Sequence, residues 1–331
     1  MLETAETRES TLTGASKASD VDSPTRHATL YFADGDLVIH AAEQDHVYGK
    51  LFRAHSFLLK QFSPVFRDML SFPPTVAPGD FHDGAPLVRL YDSPVAVAQL
   101  LEVVSHPVCP ASSAETRIPR YPIIDGQDPY LASNTYALME LATKYQVDSL
   151  RTRLAFELKQ QWPPALVDHL ERQRAPAAPE PASALRFAVR FDVPAVHAPA
   201  CYALAVTPEH ARDHTQWALL DADSLRCIER GRGALARIHH GLADELAARL
   251  ECPRALEDQG RPPCAEVLCG AVNALSGCSI SSMDPIMLLV AVVEQSRGCG
   301  LCKTCGQATR NVVLARMHEL WDSVPVLFGL M

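Results

Sequence analysis

The chain has no long apolar run. Its longest strong one, Ile286 to Val293, falls well short of the ~20 residues needed to cross a bilayer, so no membrane span is expected. It also has no surplus of bases. The formal net charge is −9, and acids outnumber bases in the opening residues, in the middle and in the C-terminal half. A basic face that tracks phosphates is therefore not expected, nor is a nucleic-acid partner. The motifs that carry common chemistries are missing too: there is no Gly-x-Ser-x-Gly, no phosphate loop, no Gly-x-Gly-x-x-Gly and no His-Glu-x-x-His. The expectation is a protein that is not an enzyme. Glycine is scarcer than proline, 16 against 25, which points to stiff loops. The first residues, Met1-Leu-Glu-Thr-Ala-Glu, have neither the basic start nor the apolar stretch of a secretory signal. The compartment expected is intracellular, cytoplasm or nucleus, where ten cysteines are better read as free thiols or metal ligands than as disulfides.

What is present is ordinary globular material: 47% hydrophobic and 21% charged residues over 331 positions, enough for about two domains. Residues 1–25 are rich in Ser, Thr, Ala and Glu and read as a disordered tail. Leu30-Tyr31-Phe32 precedes the turn pair Asp34-Gly35. Leu37-Val-Ile reads as a strand, with a hairpin partner over 47–52. Two short helices follow at 55–62 and 64–70, with Ser63 as a ready N-cap and Pro64 in the first turn. Residues 71–86 read as a loop, 87–91 as a strand and 94–105 as a helix with Val97, Leu100, Leu101 and Val104 on one face. Residues 106–130 form a Pro-rich insertion without periodicity. Two helices come next, one carrying Leu138, Leu141, Ala142 and Tyr145. The other is capped by Asp148 and carries Leu150, Leu154 and Leu158. A linker is expected at 171–183, then a helical domain over 184–331. Its longest helix runs from Asp223-Ser224 to Arg249 and is open to breakage at Gly231, Gly233 or Gly241.

Residues 26–165 resemble a BTB/POZ domain. The resemblance is carried, in order, by Asp36-Leu-Val-Ile, Leu51-Phe-Arg-Ala-His-Ser-Phe-Leu-Leu, Ser63-Pro-Val-Phe-Arg-Asp-Met-Leu, Val88-Arg-Leu-Tyr-Asp-Ser-Pro and Leu141-Ala-Thr-Lys-Tyr-Gln-Val-Asp-Ser-Leu. The stretches Ala184-Leu-Arg-Phe-Ala-Val-Arg-Phe-Asp-Val-Pro and Trp321-Asp-Ser-Val-Pro-Val-Leu-Phe-Gly-Leu are similar to a large group of fungal, basidiomycete-type BTB proteins of unassigned function. The resemblance implies an α+β fold: a small sheet with a hairpin, flanked by helices, followed here by the mainly α-helical C-terminal domain. It also implies an adaptor that binds protein partners, a second copy of itself among them through Leu30-Tyr31-Phe32. Some family members recruit a cullin ubiquitin-ligase scaffold. They use a hydrophobic-x-Glu element after the helix pair, whereas this chain has Phe72-Pro-Pro-Thr there.

Cys299-Gly-Leu-Cys302-Lys-Thr-Cys305-Gly306 is the sharpest chemical signal, because two Cys-x-x-Cys spacings overlap. Such a knuckle lets two thiolates reach one tetrahedral ion at ~2.3 Å each. The set expected is Cys302 and Cys305 with Cys252 and Cys264, and zinc as the ion. Cys299 is the alternative within the knuckle, and Cys269 and Cys278 are the alternatives outside it. Cys305 is preferred to Cys299 because Gly306 follows it and allows a turn. The competing readings are free thiols in loops and a redox dithiol, the latter without a βαβ pattern around it. This leaves a zinc-stabilised regulatory protein as the alternative to the adaptor. Among 13 histidines, His210 and His214 stand at i, i+4 and read as a solvated face, His239 and His240 diverge, and His55 reads as a structural helix start.

Overall fold

The computed structural model describes residues 24–43, 49–72, 79–105, 124–174, 178–250, 252, 263–278, 284–295 and 300–330. The tail up to residue 23, most of the Pro-rich insertion, Cys299 and the side chain of Cys278 lie outside them. The fold is mixed α+β, in two compact units that divide between His106 and Pro107. Among the described residues no helix is long and apolar enough to cross a membrane.

The first unit is built on a five-stranded sheet of β1 (Thr25–Tyr31), β2 (Leu37–Ala41), β3 (Lys50–Ala54), β4 (Phe81–His82) and β5 (Ala85–Leu90), in the order β1-β3-β2-β5-β4. β2 and β3 are antiparallel, pairing Leu37 with Ala54 and Ala41 with Lys50, while β2 and β5 are parallel. The central strands are buried on both faces: Val38, Ile39 and Phe52 have no exposure. α1 (Ser56–Phe62), α2 (Pro64–Met69) and α3 (Pro94–Ser105) carry the other half of this core. The Asp36 carboxylate accepts from both the backbone N–H and the hydroxyl of Ser56, each at 2.6 Å, and so fastens the start of α1 to the end of the β2 approach. Ser63 caps α2 as expected, its hydroxyl oxygen accepting from Phe66 N–H at 3.0 Å.

Two expectations for this unit change. Residues 71–86 are not all loop. Asp83 and Gly84 both sit in the left-handed region, at φ 49° and 76°, and turn β4 back onto β5. That is the geometry an Asp-Gly hairpin requires. Leu30-Tyr31-Phe32 is not left exposed: β1 lies parallel to β3 of the same chain, Leu30 is 6% exposed, and Phe32 N–H donates to Arg53 O.

The second unit is helical. It holds α4 (Leu131–Asn134), α5 (Tyr136–Lys144), α6 (Asp148–Gln161), α7 (Leu166–Gln173), α8 (Pro181–Phe191), α9 (His197–Val206), α10 (His214–Trp217), α11 (Ala222–Ala248), α12 (Cys264–Cys278), α13 (Pro285–Gln295) and α14 (Lys303–Phe328). The helices of 131–161, which the BTB resemblance places with the sheet, therefore group with this unit. The expected linker falls inside it. α7 occupies its first residues, and Glu180 caps α8 by accepting from Ala182 and Ser183 N–H. Asp148 is not the cap of α6 but its first helical residue, after Val147; an acid there still meets the positive end of the helix. The cap of α11 is Asp221, which accepts from Ser224 N–H at 2.7 Å. α11 runs unbroken over 27 residues. Gly231 sits where a Cβ would overlap the Phe328 ring, so its missing side chain is what lets α14 pack there.

Candidate metal centre

Four cysteine sulfurs from three places in the chain converge: Cys252, Cys264, Cys302 and Cys305 lie with all ligand atoms within 4.8 Å of one another. Each position follows from a helix end. Cys264 opens α12 and Cys252 follows the end of α11, and α11 and α12 pack along each other. Cys302 is the N-cap of α14, with extended backbone, and its sulfur accepts from Cys305 N–H at 3.4 Å. Cys305, three residues on, projects from the same side of the first turn. The sharp turn before this pair is made by Gly300, at φ 77°, whereas Gly306 lies within α14. Gly306 therefore makes no turn after Cys305, contrary to the expectation for this pair. The helix cap, not a glycine turn, brings Cys302 and Cys305 together.

Tetrahedral ligation at ~2.3 Å per bond puts sulfurs about 3.8 Å apart. The quartet needs to contract by only about 1 Å or less to close on one ion. Cys305 is fully buried and the other three are half-buried, and all four ligand atoms are sulfur, with no carboxylate or imidazole among them. The electrostatics are uneven. The Cys305 backbone N–H lowers the Cys302 thiol to about 7, helped by the neighbouring thiols. Burial drives the Cys305 thiol strongly upward. Cys264 also rises: the backbone bond with Cys302 pulls it down, but desolvation and the bond to Cys252 outweigh that. Four thiols this close cannot all ionise against one another, and a divalent cation is what would let them. Cys269 is not in the group; its sulfur lies 3.8 Å from an Asp244 oxygen.

The histidine expectations divide. His210 and His214 are exposed but stand on separate short elements, a 3-10 turn at Glu209–Ala211 and α10. His239 is buried in α11, without a hydrogen-bond partner for either ring nitrogen among the described residues, while His240 is exposed. His55 caps α1 with its backbone, 3.3 Å from Asp34.

Two groupings were invisible from spacing. Cys201 on α9 and Cys227 on α11 face each other with sulfurs 3.9 Å apart. Tyr202 on α9 donates to Asp284 Oδ1 at 2.6 Å, and the same oxygen accepts from Ile286 and Met287 N–H at 3.0 Å, capping α13. Burial raises the Asp284 carboxyl, and burial together with the Asp284 charge raises the Tyr202 hydroxyl well above its ordinary value. No local motif links positions 202 and 284; an Asp-Pro pair opening an apolar run was the only trace in the sequence. The chain matches no protein-family model and no curated protein.

Proposed function

We propose that the chain is a non-enzymatic protein-interaction adaptor acting through a BTB/POZ-type N-terminal unit. The observation that carries this reading is a groove of ≈ 370 Å³ beside the helix pair, lined by Leu37, Met69, Leu70 and Phe72 among others, with Phe72 75% exposed at its rim. The order of hairpin, helix pair, strand and helix in the first unit also supports it. Large exposed aromatic side chains are the anchors that dominate protein interfaces. The test compares full-length wild type with Phe72→Asp by quantitative affinity purification from cells. At least one near-stoichiometric protein should fall by about tenfold or more with the variant, the size of a lost hot spot. A cullin in that set would specify a ubiquitin-ligase adaptor, and a second copy of the chain would specify self-association. Identical protein sets for both forms would end the reading.

The four converging sulfurs favour a second statement about the helical unit, that it is a module stabilised by a structural zinc ion. A site closed by four thiolates leaves no position for a reactive water, so the ion would hold structure and not hydrolyse. Elemental analysis of protein purified without chelator should give near one equivalent of zinc, lost in Cys302→Ser; less than about half an equivalent, with normal helicity, would overturn it.

A further inference from the structure

A cavity of ≈ 350 Å³, lined by none of the four cysteines, lies within the helical unit between α7, the approach to α8, α9 and the start of α13. This is the size range of small-molecule sites. Its walls are apolar along Pro179, Val206, Ile286 and Met287. Its polar lining is Asp284, the Tyr202 and His169 side chains, and Thr207, whose hydroxyl donates to Ala203 O at 2.6 Å. Asp284 is 8% exposed and His169 3%, and His169 Nδ1 has no hydrogen-bond partner among the described residues.

The charge balance is one-sided. Among the described residues no Lys or Arg lines the cavity. Burial holds His169 at about 4, so it brings no positive charge at neutral pH. His239 does not line the cavity and is itself lowered by burial. The carboxyl accepts three hydrogen bonds on one oxygen, yet it is desolvated, and among the described residues no Lys or Arg lines the cavity it faces. Purely structural capping of α13 would require the two backbone bonds alone, and would not call for an apolar chamber in front of the acid.

We propose that this cavity binds a small organic cation, its ammonium group against Asp284 and the Tyr202 ring and its apolar body against Pro179, Val206 and Met287. A carboxylate beside an aromatic face is the pairing that recognises ammonium groups, and desolvation strengthens both attractions. An anion would meet the Asp284 charge, and a neutral ligand would leave it uncompensated.

The test titrates the full chain with three probes of one shape, cyclohexylammonium, cyclohexanol and cyclohexanecarboxylate, by ligand-observed NMR at neutral pH. The amine should bind saturably and at least about tenfold more tightly than the alcohol or the acid. Asp284→Asn keeps an oxygen to cap α13 and should bring the amine down to the level of the alcohol. Ala203→Leu fills the cavity from a half-exposed position and should weaken amine binding about tenfold without touching the acid. Circular dichroism of each variant reports folding, and the ranking of the probes on wild type stands without them. An amine that binds no better than the alcohol, or that binds folded Asp284→Asn as it binds wild type, overturns the proposal.

Discussion

His169 shows how one buried side chain couples stability to pH. It packs against Trp321, with ring centroids 4.5 Å apart, and burial lowers its pKa from 6.5 to about 4. Between these values the unfolded chain binds a proton that the folded chain refuses, so folding loses ground as pH falls. The contribution is fully present above 6.5, declines below it, and is gone near pH 4, a total of roughly 3 kcal/mol. His239 acts in the same sense, while the raised Asp284 acts in the opposite one, its contribution fading as pH rises. His169→Phe keeps the stacking and removes the titration. The fall in melting temperature between pH 6.5 and 4 should become shallower than in wild type; an unchanged slope would assign the effect to other groups.

At the scale of elements, the contact of α11 with α14 rests on a missing side chain. Glycine in a helix interior ordinarily costs ~1 kcal/mol relative to alanine, so Gly→Ala stabilises many exposed helix positions. Gly233 and Gly241 have no close backbone neighbours and fit that rule. Gly231 does not, because its Cβ would overlap the ring of Phe328, which is fully buried. Gly231→Ala should therefore destabilise by about 1–3 kcal/mol, the usual cost of overpacking, while Gly241→Ala leaves stability equal or higher. Denaturant midpoints of the two variants separate these outcomes, and a Gly231→Ala midpoint at or above wild type would show that Phe328 can move aside. Gly329 closes the same helix at φ 70°, another position that only glycine takes easily.

The whole molecule has two compact units, and each should report its own damage. Phe66 is 1% exposed in the core of the first unit, and Phe66→Ala should cost about 3–5 kcal/mol there. The cysteine quartet lies entirely in the second, where it ties the end of α11 to the starts of α12 and α14. Calorimetry of the full chain should show two transitions. Phe66→Ala lowers the one that a strong chelator leaves in place, and the chelator lowers the other, since metal binding free energy is folding free energy. A chelator that moves neither transition, or both equally, would contradict this division of labour.

The sequence by itself determined the elements whose causes are local. α3 was readable from Val97, Leu100, Leu101 and Val104 at helical spacing, and all four are buried. α2 was readable from Ser63-Pro64, and the cap is formed as that pair dictates. Cys302 and Cys305 announced themselves by a three-residue spacing, which any helix start turns into neighbouring sulfurs. The Asp83-Gly84 turn is equally local, but residues 71–86 read as loop because its β4 arm is two residues long and carries no alternation. Tertiary structure decided what depends on chain passing chain. It laid β1 along β3, kept α11 continuous across Gly231 by seating Phe328 there, and set His239 inside the core while leaving its neighbour His240 exposed. It also brought Tyr202 to Asp284 across 82 positions, because the free energy of burying α9 against its neighbours has no signature in the residues between them.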